Sequence, residues 1–418
     1  MPPSPRAVGR PQLFSTVVEQ KHISKAVQTS RNYLKSPYSQ IQERNISVYE
    51  PPSSISGTNR FKIGSKVMHH MKKSKVAAVV VTFNRKQLLL ECLNALIHQT
   101  YRLDAIFIID GPSTDGTPEA LLDNSYINEL PPEEHHGYSW STTNAILRQD
   151  KGPLIRYIRT YDDIGGSGGF YEGVKYAYEE GYKWIWLMDD DAEPTKNALE
   201  DLIAYANLPN CIALASTVKN LTGEISEFHR GTFSLNRYFP SMQKPLDKEA
   251  YSKNEPVKID FASFVGPLIK SDAISEVGYP NRNFFIHHDD VEYCLRLTKV
   301  GQLYLVPNSI IIHKEHSKTS NTSKNANNSR IKQRVPYTKL WRTYYGKRNL
   351  VYLGHTYSKN KVRFIIDLIK TWTLNIISIT IFDDNKLNRI RFVTSAYLDG
   401  LQGTFDNNKP KRILYEGK

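Results

Sequence analysis

The apolar run Val76-Ala-Ala-Val-Val-Val81, entered from Lys72-Lys73-Ser74-Lys75 and closed by a polar turn, predicts a strand buried on both faces. Leu88, Leu89, Cys92, Leu93 and Leu96 then recur at helical spacing. A second strand runs from Asp104 to Ile109 and stops at Asp110-Gly111-Pro112, and Thr117-Pro118 opens a further helix. Leu154 to Ile158 is a third strand, Phe170 to Gly181 a helix ending on glycine, and Lys183 to Met188 a fourth strand. This alternation predicts an α/β fold with an open, mostly parallel sheet, flanking helices and right-handed crossovers. Residues 221–256 interrupt the rhythm as a loop-rich excursion. Order resumes over Ile259 to Val265, a helix covers Val291 to Val300, and residues 303–306 and 310–312 are two short strands.

The flanks differ in kind. Residues 1–57 carry Ser/Pro/Gln/Asn clusters with short apolar runs, and residues 315–334 form a polar Asn/Ser/Lys-rich linker. Beyond it, Ile365, Leu368, Ile369, Trp372, Ile376 and Ile379 recur at helical spacing, with Arg363, Asp367, Lys370, Asn375 and Ser378 opposite. That helix either packs on the α/β domain or lies in a membrane interface. The expected organisation is a basic N-terminal arm or small subdomain (1–72), the α/β domain (73–334) and a basic helical C-terminal region (335–418).

Composition narrows the function classes. At 40% hydrophobic and 23% charged residues, the chain is not wholly disordered. The net charge of +13 is uneven: residues 1–75 hold 13 Lys/Arg against 3 Asp/Glu, residues 76–313 hold 21 against 32, and residues 314–418 hold 21 against 7. The acidic middle and the lack of a helix-turn-helix or zinc motif argue against a nucleic-acid-binding reading. The basic flanks suit an anionic lipid surface, or serve as solubilising charge. Cys92, Cys211 and Cys294 are too dispersed for a zinc site or disulfide scaffold and fit a reducing compartment. With no apolar leader and no run of 18 apolar residues, neither a secretory signal nor a spanning helix is expected.

In open α/β sheets, ligands sit beyond the carboxyl ends of the strands. Those ends read Thr82-Phe83-Asn84-Arg85, Asp110-Gly-Pro-Ser113, Asp162-Asp163-Ile-Gly-Gly-Ser-Gly-Gly-Phe170 and Asp189-Asp190-Asp191. Three adjacent carboxylates repel one another unless a cation is present. Oxygen ligands suit Mn²⁺ or Mg²⁺, which bridge carboxylates to a diphosphate. In extended backbone, Asp189 and Asp191 share a face and Asp190 points elsewhere; the alternative is a solvated acidic turn. The glycine run permits close approach to a ligand and opens a helix whose N-terminus favours anions, or is a plain flexible turn. Asp289-Asp290, after His287-His288, either caps a helix or supplies a general base facing a cleft. His313, ending an apolar strand, is a ligand candidate only if the fold brings it to the aspartates. An oxidoreductase would need GxGxxG after the first strand, where TFNRKQ stands.

In order, VVVTFNR (79–85), IIDGPSTDGT (108–117), LMDDDAEP (187–194), FVGPLI (264–269), FFIHHDDVEYCLRLTKVG (284–301) and IIIH (310–313) resemble the inverting glycosyltransferases of family 2, with the Rossmann-like GT-A fold. GGSGGF is most similar to the galactofuranosyltransferases within that family. The resemblance implies a nucleotide-sugar donor, foremost UDP-galactofuranose, and a glycan or lipid-linked acceptor in cell-surface polysaccharide synthesis. It places Thr82, Phe83, Arg85 and Asp110 beside the nucleotide, with Gly168 and Gly169 leaving room for the donor sugar and Asp190 near the substrate. It makes Asp189, Asp191 and His313 ligands of Mn²⁺ or Mg²⁺, Asp290 the catalytic base and Asp289 a partner of acceptor or sugar hydroxyls. Tyr344-Tyr345-Gly-Lys347-Arg348-Asn349 is similar to an element of related bacterial transferases and is read as supporting the site from outside the sheet. A cytoplasmic enzyme peripheral on the inner leaflet follows, with homo-oligomerisation open. The alternatives are a dTDP-rhamnose-dependent transferase and a nucleotide-sugar-binding protein without turnover.

Overall fold

The structure, a computed structural model, describes residues 74–133, 138–145, 152–236, 242–314 and 335–416, all within one compact unit, Lys72–Lys418. The expected N-terminal arm and the polar linker lie outside the described residues. In chain order the first half holds β1 (Val76–Thr82), α1 (Lys86–Ile97), β2 (Ala105–Asp110), α2 (Thr117–Asp123), β3 (Ser139–Ala145), β4 (Leu154–Thr160), α3 (Gly165–Glu179), β5 (Trp184–Asp189), β6 (Ala192–Pro194) and α4 (Ala198–Ile203). There follow β7 (Cys211–Lys219), β8 (Arg230–Phe233), β9 (Gln243–Pro245), β10 (Val257–Ile259), β11 (Phe261–Ala262), β12 (Pro267–Lys270), α5 (Ser271–Val277), α6 (Asp289–Leu297) and β13 (Gln302–His313). Helices α7 (Trp341–Tyr357), α8 (Lys361–Phe382) and α9 (Lys386–Gln402) form most of the C-terminal region.

Ten strands make one sheet in the order β10-β13-β7-β12-β5-β1-β2-β4-β3, with β6 paired to β13. Neighbours β5-β1-β2-β4 are parallel, as are β7 and β13. Alternation along β1 explains the two-sided core. Ala77 and Val79 pack with Val174 and Ala177 of α3, whereas Val76, Ala78 and Val80 pack with Leu89 and Leu93 of α1. The architecture is a GT-A-like α/β fold with a mostly parallel central sheet and a helical C-terminal region.

Several elements differ from expectation. The edge strand β3 is polar (SWSTTNA), so it lacks the apolar run that marks its neighbours. The excursion over residues 221–256 contributes β8 and β9 to a small antiparallel sheet with β11. Residues 303–306 and 310–312 belong to the single strand β13, whose register against β7 jumps from Val306 to Ile310. Pro307, Asn308 and Ser309 bow out at this bulge, and Ser309 Oγ anchors it by donating to the Ala198 carbonyl (2.8 Å). Helix α3 begins at Gly165 rather than Phe170, so the glycine run is its first turn.

Helix α8 turns only part of its predicted apolar face inward: Leu368 and Ile379 are buried and Trp372 is half-buried, whereas Ile365 and Ile369 are exposed. Phe364, Leu368 and Ile379 are buried, and the polar Asn375 faces inward with them. Asn375 donates to Tyr397 OH (3.2 Å) and accepts from Lys347 Nζ (3.1 Å), while Trp372 Nε1 donates to Thr394 Oγ1 (3.1 Å). Those partners make the polar residues good inward groups. The outward face instead carries Val362, Ile365, Ile366, Ile369, Leu374, Ile377, Ile381 and Phe382, all exposed. At 22 residues and a mean hydropathy of 1.5 over its best 18-residue window, α8 is long and apolar enough to cross a membrane, contrary to the expectation from apolar run length.

Candidate active site

The sheet grows from β1 through β2 to β4 on one side, and β5 returns to the other side of β1. A crevice therefore opens where the carboxyl ends of β1 and β5 diverge. Val81 pairs with Asp189, which brings the turn after β1 against the three aspartates. Thr82 Oγ1 donates to Asp190 Oδ2 (2.8 Å), and Arg85 Nη1 reaches Asp190 Oδ1 (3.2 Å) and Asp191 Oδ2 (2.7 Å). Asp190 thus faces Thr82 and Arg85, and it is buried.

Asp110 sits beneath this turn. It is fully buried and accepts from Ser113 Oγ (2.6 Å), Tyr157 OH (2.7 Å) and Arg159 Nη1 (2.7 Å). Ser113 Oγ in turn accepts from the backbone N–H of Asn84 (2.8 Å), whose φ is 55°. Asp110 is not among the residues lining the cavity; through Ser113 it pins the turn that carries Phe83 and Arg85, which do line it.

The cavity holds about 590 Å³. Its walls come from the turn after β1, the first turn of α3 with Ser167 and Gly169, the three aspartates, the start of α6 with Asp289 and Asp290, and His313. Gly168 is not part of the wall: a Cβ there would stand 2.7 Å from Ile164 Cβ. A Cβ on Gly169 would stand 2.5 Å from Val81 Cγ1, and one on Gly173 2.2 Å from Val79 Cγ1. Gly165, Gly169 and Gly173 recur every four residues, so they form one bare stripe along α3. Gly169 and Gly173 let α3 approach β1, whereas a Cβ on Gly165 would meet the Phe285 carbonyl; Gly165, Gly166 and Gly169 also line the cavity.

Asp189, Asp191 and His313 each offer an atom within 4.8 Å of the others. His313 Nε2 lies 2.9 Å from Asp191 Oδ1. The pairing of His313 with Ala192 and the Lys314 N–H bond to the Asp191 carbonyl (2.8 Å) fix its level. Burial and the neighbouring Asp191 carboxylate push Asp189 up to about 7. For Asp191 burial acts upward too, but His313 and Arg85 outweigh it and hold the carboxyl below its usual value. Two oxygen donors, one imidazole and a carboxylate that ionises reluctantly without a counter-ion form a donor set that fits Mn²⁺ or Mg²⁺.

Across the cavity, Asp289 and Asp290 occupy the first turn of α6. Val291 N–H donates to Asp290 Oδ1 (2.7 Å). Helix-start donors favour the carboxylate, yet burial, with Asp289 alongside, pushes Asp290 up to about 8. A carboxylate whose proton affinity is raised toward neutral pH is a stronger general base in its ionised form.

Other wall residues escape sequence reasoning. His229 and Ser263 line the same cavity, with His229 Nδ1 2.7 Å from Ser263 Oγ and its ring edge-on to His313 at 5.1 Å. Nothing in the irregular excursion marks His229. Trp341 and Arg342, opening α7, also line the cavity; their aromatic-basic pairing beside the 344–349 element was the available signal.

The family described as Glycosyl transferase family 2 matches residues 77–278. Galactofuranosyltransferase GlfT1 of Mycolicibacterium smegmatis is 28% identical over 230 residues, covering 54% of this chain and 66% of that protein. GlfT1 of Mycobacterium tuberculosis is 26% identical over 227 residues, covering 54% and 65%. The chain therefore spans just under two thirds of the length of these relatives. Among solved structures, S. aureus TarS 1–349 in complex with UDP is 11% identical, covers 82% of this chain and 92% of that one, and has a TM-score of 0.44. Residues 77–278 thus match the model of glycosyl transferase family 2, and about half of the chain is similar to galactofuranosyltransferases.

Proposed function

We propose that this chain is an inverting, metal-dependent glycosyltransferase that moves galactofuranose from UDP-galactofuranose to a glycan or lipid-linked acceptor in cell-surface polysaccharide synthesis. The observation that carries the reading is one cavity with the Asp189/Asp191/His313 group on one side and Asp290 on the other. The similarity to GlfT1 supports the choice of donor. Residues 73–334 act as the catalytic domain, and residues 335–418 complete its wall through Trp341 and Arg342.

In this reading Asp290 accepts the proton of the acceptor hydroxyl. The hydroxyl oxygen bonds to the anomeric carbon while the bond from that carbon to the diphosphate oxygen breaks, and its electron pair leaves with UDP. Attack opposite the leaving group inverts the centre without a covalent intermediate. Thr82, Phe83 and Arg85 hold the nucleotide end, Asp190 orients Thr82 and Arg85, and Asp289 receives acceptor or sugar hydroxyls. Held by Asp189, Asp191 and His313, Mn²⁺ or Mg²⁺ would supply charge neutralisation to the departing diphosphate. The test is nucleotide release from a panel of UDP- and dTDP-sugars with Mn²⁺. UDP release from UDP-galactofuranose is expected. Release from dTDP-rhamnose alone would replace the donor, and release from none would leave a sugar-nucleotide-binding protein.

The outward face of α8 supports a membrane-bound acceptor. The same region exposes Lys361, Arg363 and Lys370 on α8 and Lys386 and Arg391 on α9, and residues 335–416 hold 14 Lys/Arg against 6 Asp/Glu. An apolar face on a basic region complements an anionic leaflet. The inner face is bonded to α7 and α9, so the helix lies on the surface instead of spanning it. This reading makes the enzyme cytoplasmic and peripheral. Binding to phosphatidylglycerol vesicles is expected to exceed binding to phosphatidylcholine vesicles, to weaken with salt, and to drop at least tenfold in Ile366→Asp/Ile369→Asp. Equal binding to both vesicles would overturn this. So would salt-independent self-association abolished by the same substitutions, which would place a second copy on the face.

A further inference from the structure

Residues 284–288, the segment that delivers Asp289 and Asp290, have a backbone that their side chains do not favour. Phe285, His287 and His288 have φ of 65°, 70° and 64°. Phe285, with ψ of −59°, forms a strained three-residue turn closed by Ile286 N–H to the Phe284 carbonyl (2.7 Å). For side chains with a Cβ, the left-handed region persists only where surroundings impose it.

Those surroundings are on α7. Asn349 Nδ2 donates to the carbonyls of Phe284 (3.0 Å), Ile286 (3.0 Å) and His287 (2.8 Å). Arg348 Nη2 joins it on Phe284 (3.0 Å), and Arg348 Nε donates to Asn349 Oδ1 (2.9 Å), which fixes which way the amide points. From the opposite side, Ser167 N–H in the first turn of α3 takes the Phe285 carbonyl (3.0 Å). That docking needs Gly165, where φ is 65° and a Cβ would stand 2.2 Å from the same oxygen. All four carbonyls from Phe284 to His287 are thereby engaged, and both Arg348 and Asn349 are fully buried.

We propose that Asn349, oriented by Arg348, is a positioning residue: it imposes the left-handed path that sets Asp289 and Asp290 against the cavity. The catalytic consequence rests on Asp290 being the base, whereas the mechanical one does not. Among the described residues the side-chain hydrogen bonds of Asn349 run to Arg348 and to residues 284–287, so its loss should misplace the base and spare nucleotide binding.

The discriminating variant is Asn349→Asp. It keeps the shape and the oxygen that accepts from Arg348 Nε, but presents an oxygen to three carbonyls that need N–H. In the full chain, hydrogen exchange of amides 284–291 is expected to accelerate at least tenfold while those of β1 stay protected. UDP release from UDP-galactofuranose should fall about a hundredfold, since a shift near 1 Å suffices for that. Affinity for UDP with Mn²⁺ should stay within twofold. Unchanged exchange at 284–291 overturns the proposal, as does loosened exchange with turnover within threefold of wild type, or a loss of UDP affinity matching the loss of turnover. If Asn349→Asp does not fold, Asn349→Ser, which keeps one donor, is measured identically, with about tenfold lower turnover expected. If the wild type releases no UDP, the donor assignment has failed. If Asp290→Asn keeps wild-type turnover, the base assignment has failed. Hydrogen exchange still decides the role of Asn349 in either case.

Discussion

Asp290→Asn is expected to lower turnover about 10²–10⁴-fold while UDP affinity stays within twofold, measured as UDP release and UDP binding with Mn²⁺. The amide keeps the bond from Val291 N–H, so α6 retains its first turn, but it cannot accept the hydroxyl proton. Because burial raises the Asp290 carboxyl to about 8, the wild-type rate should climb with pH well above the ordinary carboxylate range as the carboxylate forms. Charge neutralisation at Asp189 would draw that limb toward lower pH. Turnover of the variant near wild type would move the role to Asp289.

Asp189→Asn should separate stability from activity. The wild-type carboxyl has a folded-state value raised to about 7 against an ordinary value near 4. The sign is therefore fixed. The stabilisation is complete below about 4 and is lost as pH rises through 7, so at pH 8 the metal-free fold carries an uncompensated charge. The asparagine variant does not. In chelator at pH 8 its Tm should exceed that of wild type by about 3 °C, a value discounted for the partial exposure of Asp189 to the cavity, and the gain should vanish near pH 4. Added Mn²⁺ should raise the wild-type Tm and leave the variant unmoved, and UDP release should be lost. Equal Mn²⁺ stabilisation of both proteins would remove Asp189 from the metal group.

The parallel core was readable because β1, β2 and β5 are buried on both faces, which leaves unbroken apolar runs stopped by charge. The juxtaposition of Thr82 and Arg85 with Asp190 was not, because it depends on β5 returning beside β1. The four-residue spacing of Gly165, Gly169 and Gly173 is helical: Gly169 and Gly173 record the approach of α3 to β1 and Gly165 that of Phe285, while Gly165 and Gly169 also line the cavity. Asn375 misled the reading of α8, since its bond to Tyr397 comes from a helix 22 residues away in sequence, whereas Trp372 lies on the inward side with Leu368 and Ile379, on the apolar face its spacing marks. The 344–349 element was visible, but its bearing on residues 284–288 required the fold.

The bulge in β13 carries a consequence for how this chain tolerates change. His313 reaches Asp191 because residues 307–309 take up slack between the two halves of the strand. Asn308 is exposed there, so many side chains should be accepted at that position. Removing one residue is another matter. Side chains alternate along a strand, so a one-residue slip would bring Lys314 to the place of His313 and turn the imidazole to the opposite face. An ammonium there would repel a divalent ion and bind the aspartates itself. The segment is thus constrained in length far more than in composition, and insertions or deletions within it should be read as changes to the proposed metal group, however distant from it they look in a linear alignment.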